Sequence, residues 1–173
     1  MDTRTFWMLI GTAHENSGGD MDKQLELLID ALSQLPDQEL MGFDRLLWDM
    51  MAKAYRADLW EAAWVIGCGC GDDGFDDFRA WLISQGQNIY EEALRDPDSL
   101  ADVVEKDRRF DTQDGRLATV ASEAHERKTG HWKILVGYSA PLTLEGELGP
   151  ETEVPPEKFP RIAAKLGDCD ELV

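Results

Sequence analysis

The residues whose types and spacing could support chemistry are concentrated in one short stretch of the chain. Residues 67–71 read Gly-Cys-Gly-Cys-Gly, and four carboxylates follow directly, on Asp72, Asp73, Asp76 and Asp77. Glycine lets the backbone turn sharply or approach another group closely. Four acidic side chains at the start of a helix indicate either a helix cap or a charged binding site. We therefore take this stretch as the candidate site.

Part of the stretch fits a purely structural role. Asp73 lies where a helix N-cap is expected, and Asp76 lies three residues later, as the acid of a capping box does. Negative charge near a helix N-terminus is favourable by roughly 0.3–1 kcal/mol per group. Gly67, Gly69 and Gly71 are predicted to form the preceding turn, with a positive φ at one or more of them.

The other two aspartates are not explained by a cap. Asp73 and Asp77 are four residues apart on one helix face, where like charges repel. A cation, an arginine or a metal ion would neutralise that repulsion. Asp72 and Asp77 are therefore candidate ligand-binding residues.

Aromatic side chains flank the acidic residues. Trp60 and Trp64 are four residues apart on the preceding helix, and core packing is one interpretation of them. The other is an aromatic wall with Phe75 and Trp81 beside an acidic rim, which suits a cationic ligand or a Lys- or Arg-bearing peptide. The candidate binding residues are Trp60, Trp64, Cys70, Asp72, Phe75, Asp77 and Trp81.

The cysteine pattern predicts no metal site and no cofactor. Cys68 and Cys70 are too close in sequence for a zinc ligand pair, and a disulfide between them would be strained. Cys169 is remote in sequence, and three cysteines form no disulfide framework. We expect reduced thiols and a cytoplasmic protein. The nearby carboxylates oppose formation of a thiolate.

Composition narrows the classes of partner. The chain has 173 residues, with 17 Lys and Arg against 35 Asp and Glu, and a formal net charge of −18. Nucleic acid is an unsuitable ligand because phosphate contacts require basic side chains. The apolar run at residues 6–10 is too short to cross a membrane. A basic protein or peptide is the expected partner.

The elements that position these residues are predicted to be helices. Apolar residues recur at helical spacing through most of the chain. Cap signals are present at Asp2 or Thr3, at Asp20 and at Asp96-Pro97. Only residues 131–138 resemble a strand. We predict an all-α single domain of about six to eight helices, in which residues 1–139 form the helical part and residues 140–173 form an extended arm and a short terminal helix that packs on the same domain.

Four segments of the chain read as motifs: FWMLI near the start, then CGDDGFDDFRAWLI, then YEEALRDPDSLADV, and FPRIAAKLG near the end. They resemble the motifs of a family of small bacterial proteins, common in actinomycetes, that is known only as a conserved domain of unknown function. The resemblance implies a soluble, mostly helical bacterial domain and implies no activity. The run with two cysteines departs from the family pattern.

The sequence therefore favours a non-enzymatic binding or adaptor protein that engages a basic protein, a peptide or a small cation through residues 60–81. One alternative is an enzyme, or a metal-dependent accessory enzyme, with its site at Cys68–Asp77 and a histidine such as His125 or His131. Another is an immunity protein that neutralises a basic toxin. Sequences typical of hydrolases, nucleotide-binding proteins and zinc peptidases are absent.

Overall fold

Helices make up the architecture, as the apolar spacing predicts. The computed structural model describes residues 1–106, 111–112, 114–133, 143–149 and 154–167. Within these ranges the α-helices are α1 (Thr3–Ser17), α2 (Met21–Ser33), α3 (Asp37–Lys53), α4 (Ala57–Gly67), α5 (Asp72–Ser84), α6 (Gln87–Arg95), α7 (Val120–Thr129) and α8 (Pro160–Leu166). Short 3-10 helices include η1 (Pro97–Asp102), η2 (Gly115–Thr119) and η3 (Pro156–Lys158).

Local capping explains where several helices begin and end. The Asp2 side chain accepts a hydrogen bond from the Thr5 amide at 2.7 Å, and Asp20 accepts one from the Lys23 amide at 3.0 Å. Gly18 and Gly130 end α1 and α7 in the left-handed conformation, which glycine adopts without strain. The predicted caps at Asp2 and Asp20 are confirmed.

The chain breaks between α3 and α4, where the sequence pattern allows either one long helix or two. Arg56 is extended, with a φ of −130°, and forms a parallel bridge with Glu145 of the carboxy-terminal part. Its guanidinium donates to the Leu94 carbonyl at 2.6 Å and to the Asp58 carboxylate. These contacts fix two separate helices.

Helix α5 lies at the centre of the domain. Every side chain from Phe78 to Ser84 is buried, because α5 packs against α1, α3, α4, α6 and η2. A helix that is buried on all sides needs apolar residues around its whole circumference. The sequence Phe-Arg-Ala-Trp-Leu-Ile at residues 78–83 meets this requirement at every position except Arg79.

The carboxy-terminal part is attached to the helical body by two buried carboxylates. Glu61 of α4 accepts hydrogen bonds from the Lys158 ammonium and from the Gly149 amide. Asp98 of η1 accepts from the amides of Arg161 and Ile162, both at 3.0 Å, and so caps α8 from a distant element. Helix α8 therefore contacts η1 and α4.

Some predictions fall outside the described residues. Most of the possible strand at residues 131–138 lies outside the described residues. Cys169 and the proposed boundary between residues 139 and 140 lie outside them as well. None of the helices in the described ranges combines the length and apolar character needed to cross a bilayer.

Candidate functional site

The aromatic residues of the predicted surface lie in or against the core. Phe75 and Trp81 are buried, whereas Trp60 and Trp64 are half-buried. The Trp60 indole stacks on Phe75, with ring centroids 4.6 Å apart, and donates a hydrogen bond to the Cys70 carbonyl at 2.8 Å. Trp60, Cys70 and Phe75 therefore close the junction between α4 and α5. They do not form an open aromatic wall.

The predicted cap of α5 is wrong in its position. The N-cap residue is Gly71, and no side chain caps the helix, so Asp73 lies within the first turn and does not cap it. Asp76 forms no capping box, because its carboxylate pairs with Arg79 one turn further on. Asp72 and Asp73 are exposed. The turn itself is as predicted, since Gly69 has a φ of +128°.

Arg79 is a buried charged residue near the predicted site that the sequence pattern does not indicate. Its side chain is 1% exposed, and it donates to the Met51 carbonyl at 2.6 Å and to Asp76. The guanidinium carbon lies 4.8 Å from the Tyr55 ring centroid and 5.2 Å from that of Phe75. Its Nε is buried without a hydrogen-bond partner among the described residues. Arg79 joins α3 to α5 and is fully enclosed, so it serves the fold.

The cysteines do not form a nucleophilic site. Cys70 is free and buried, and burial together with the charge of Asp77 raises the pKa of its thiol to about 11. The thiol is therefore protonated at neutral pH. Cys68 is disulfide-bonded, so the expectation of reduced thiols is wrong for this residue. The close spacing of Cys68 and Cys70 excludes only a disulfide between these two residues. It gives no information about a disulfide from Cys68 to a more distant cysteine.

Asp77 is half-buried and packs against η2. A Cβ atom built on Gly115 would lie 1.8 Å from Asp77 Oδ1, so glycine is required there for close packing of η2 on α5. Desolvation, followed by the charges of Asp76, Asp114 and Asp73, raises the pKa of the Asp77 carboxyl. The predicted repulsion within the cluster is therefore present.

Replacing Asp77 by Asn should stabilise the protein at neutral pH by about 0.3 kcal/mol, because a repelled charge is removed while the shape is kept. In the folded protein the pKa of Asp77 lies above its ordinary value of 3.8. The destabilisation that the ionised Asp77 causes in the wild type is therefore complete above the folded pKa, and it fades as the pH falls towards 3.8. The advantage of the variant should shrink over the same window. Urea denaturation at a series of pH values measures this difference, and an advantage that grows with acidity would contradict it.

A cavity lies elsewhere, at the end of α5 opposite the glycine turn. Its volume is about 580 Å³, within the range of small-molecule sites. We call it the cleft. It is lined by the α1–α2 turn, the end of α5 and the segment between η1 and η2, through His14, Gly18, Gly19, Asp20, Met21, Asp22, Gln24, Trp81, Gln85, Val103, Val104, Glu105, Asp111, Thr112, Asp114 and Arg116.

Acidic groups dominate the charged lining of the cleft. The carboxylates are those of Asp20, Asp22, Glu105, Asp111 and Asp114, whereas Arg116 is the one Lys or Arg among the lining residues that the structure describes. Arg116 pairs with Asp114 and Asp22, and these bonds lower the pKa of the Asp114 carboxyl. Glu105 pairs with Lys165, 3.0 Å away. Among the lining residues that the structure describes, the carboxylates still outnumber these cations.

Trp81 is the only residue shared by the cleft and the surface predicted from the sequence. The others in that prediction, from Trp60 to Asp77, are not among the described residues that line the cleft. The remaining lining residues come from segments far apart along the chain, so no local motif brings them together. No group of three or more potential metal ligands is present in the described parts of the chain.

Comparison with known families gives a match over most of the chain. The model of the family described as "Protein of unknown function (DUF4240)" matches residues 1–127. All described residues that line the cleft fall within the matched part, whereas residues 143–149 and 154–167 fall outside it. No curated protein and no solved structure matches the chain.

Proposed function

The chain belongs to the DUF4240 family, whose function is unknown, and on this premise we propose that it binds a small cationic ligand in the cleft. The observation that carries the proposal is the pairing of a ligand-sized cavity with an acidic rim. Five carboxylates line the cleft, and a single Lys or Arg is found among its described lining residues. The carboxylates attract a cation placed there and repel an anion.

The uncharged lining suits the same ligand. Trp81 gives the wall an aromatic ring, and Met21, Val103 and Val104 add apolar surface. Gln85 donates through its amide nitrogen to the Ser84 hydroxyl at 2.9 Å and to the Trp81 carbonyl at 3.3 Å, which leaves its amide oxygen as an acceptor. Aromatic faces and acceptor oxygens both attract cations. An organic ammonium or guanidinium compound is the ligand class that matches this lining.

Calorimetric titration with putrescine, a compact dication, tests the proposal. We expect one putrescine to bind per chain, and affinity to fall as salt is added, because exposed charges are screened over about 8 Å at physiological ionic strength. Glu105→Gln removes a rim carboxylate and should weaken binding about fivefold, the effect of one unit charge about 4 Å away in water.

A matched control separates the cleft from general acidity. Asp72→Asn removes the same charge from an exposed position in the predicted surface at residues 60–81, and it should change putrescine affinity by less than about twofold, because that position is not in the cleft. Absence of binding, or equal weakening by Glu105→Gln and Asp72→Asn, would contradict a cation site in the cleft.

A further inference from the structure

His14 lines the cleft and is held by a buried glutamine. Its Nδ1 lies 3.2 Å from Gln24 Oε1. Gln24 is 3% exposed, and its amide nitrogen donates to the Ser84 carbonyl at 2.7 Å. Three elements, α1, α2 and α5, thus meet in one hydrogen-bonded chain beside the cavity.

The carbonyl at the end of this chain determines the direction of every hydrogen bond in it. A backbone carbonyl only accepts, so the Gln24 group facing Ser84 must be the amide nitrogen. Gln24 Oε1 then faces His14 and also only accepts, so His14 Nδ1 must carry a hydrogen. In the neutral ring, Nε2 is consequently the nitrogen with a free lone pair. No other described residue hydrogen-bonds to the His14 ring.

We propose that His14 determines ligand specificity by accepting an N–H hydrogen bond at Nε2, so that the cleft prefers ammonium or guanidinium groups over quaternary ammonium groups. This inference rests on the proposed cation binding. The acidic rim and the Trp81 ring attract both kinds of cation. The lone pair on Nε2 is directional and favours only a cation that has a hydrogen to donate.

Two probes, in which the N–H groups of one are replaced by N-methyl groups in the other, test the inference. Propylammonium and propyltrimethylammonium have the same charge and the same propyl chain, and their affinities are compared in mildly alkaline buffer. We expect wild-type protein to bind propylammonium about fivefold more tightly, as one hydrogen bond provides. In His14→Phe, which keeps a ring of similar size, the preference should disappear. A preference retained in this variant would show that ligand size decides it.

A second measurement examines the hydrogen-bonded chain without any ligand. Nitrogen-15 NMR of the His14 ring should show the hydrogen on Nδ1 in the wild type, and Gln24→Met should shift the population towards the other tautomer. Hydrogen on Nε2 in the wild type would overturn the inference. Equal binding of the two probes would overturn it while leaving cation binding intact, whereas failure of both probes and of putrescine to bind would overturn the proposed function as well.

Discussion

Replacing Arg79 by Ala should lower the free energy of unfolding by about 3 kcal/mol, in the range of large-to-small changes in a core. The guanidinium fills space between the rings of Tyr55 and Phe75, and it satisfies the Met51 carbonyl. Truncation removes this packing, leaves a buried carbonyl without its donor and opens a cavity at the contact of α3 with α5. Chemical denaturation of the variant and the wild type measures the loss.

The acidic partner of Arg79 gives a matched control. Asp76 is 62% exposed, and Asp76→Asn removes its charge but keeps a side-chain oxygen that can accept from the buried Arg79 guanidinium. Because that hydrogen bond can be kept and solvent reaches the Asp76 end of the pair, the variant should lose about 1 kcal/mol, less than Arg79→Ala. If Arg79→Ala were as mild as Asp76→Asn, Arg79 would not be the link between the helices that its burial indicates.

Replacing Asp98 by Ala should lower the free energy of unfolding by about 2 kcal/mol, as loss of a strong cap does. The Asp98 carboxylate accepts from the first free amides of α8, and both lose their partner in the variant. Ile162 and Leu166 hold α8 on the body by apolar contact, so the helix should open more often without leaving entirely. Amide hydrogen exchange at Arg161 and Ile162 should therefore accelerate more than exchange in α5.

A neighbouring aspartate on η1 tests whether the cap or simply the negative charge matters. Asp102 also contacts Arg161, but its carboxylate accepts from the guanidinium in an exposed pair and not from the amides of α8. Asp102→Ala should change stability by less than about 1 kcal/mol. Equal effects of the two substitutions would mean that the attraction between η1 and Arg161, and not capping by Asp98, holds the terminal helix.

Features determined by neighbouring residues could be predicted from the sequence. Asp2 and Asp20 cap helices because the amides they satisfy lie three residues away. The left-handed ends of α1 and α7 are marked by Gly18 and Gly130 for the same reason. The sequence predicts the N-cap of α5 at Asp73, whereas the structure has it at Gly71. Residues at the N-cap and in the first turn are both often acidic, so the residue types alone do not locate the first residue of the helix.

Features that depend on folding could not be predicted in this way. Arg79 reads as a surface charge in an acidic helix, and only the packing of α3 and α5 encloses it. His14 and Gln24 lie on different helices, and their hydrogen bond requires the α1–α2 turn to be built first. The expected engagement of a basic protein, a peptide or a small cation stays a prediction, and our proposal restricts it to a small cation in the cleft.

The measurement that tests cation binding in the cleft most directly is an NMR titration of labelled protein with putrescine, following backbone amides, glutamine side-chain amides and tryptophan indoles. If putrescine binds in the cleft, the largest shifts should occur at the Trp81 indole, the Gln24 and Gln85 side chains and the amides of the α1–α2 turn, and they should saturate together. Small shifts spread over the acidic surface, or the largest shifts at Trp60 and the first turn of α5, would contradict it.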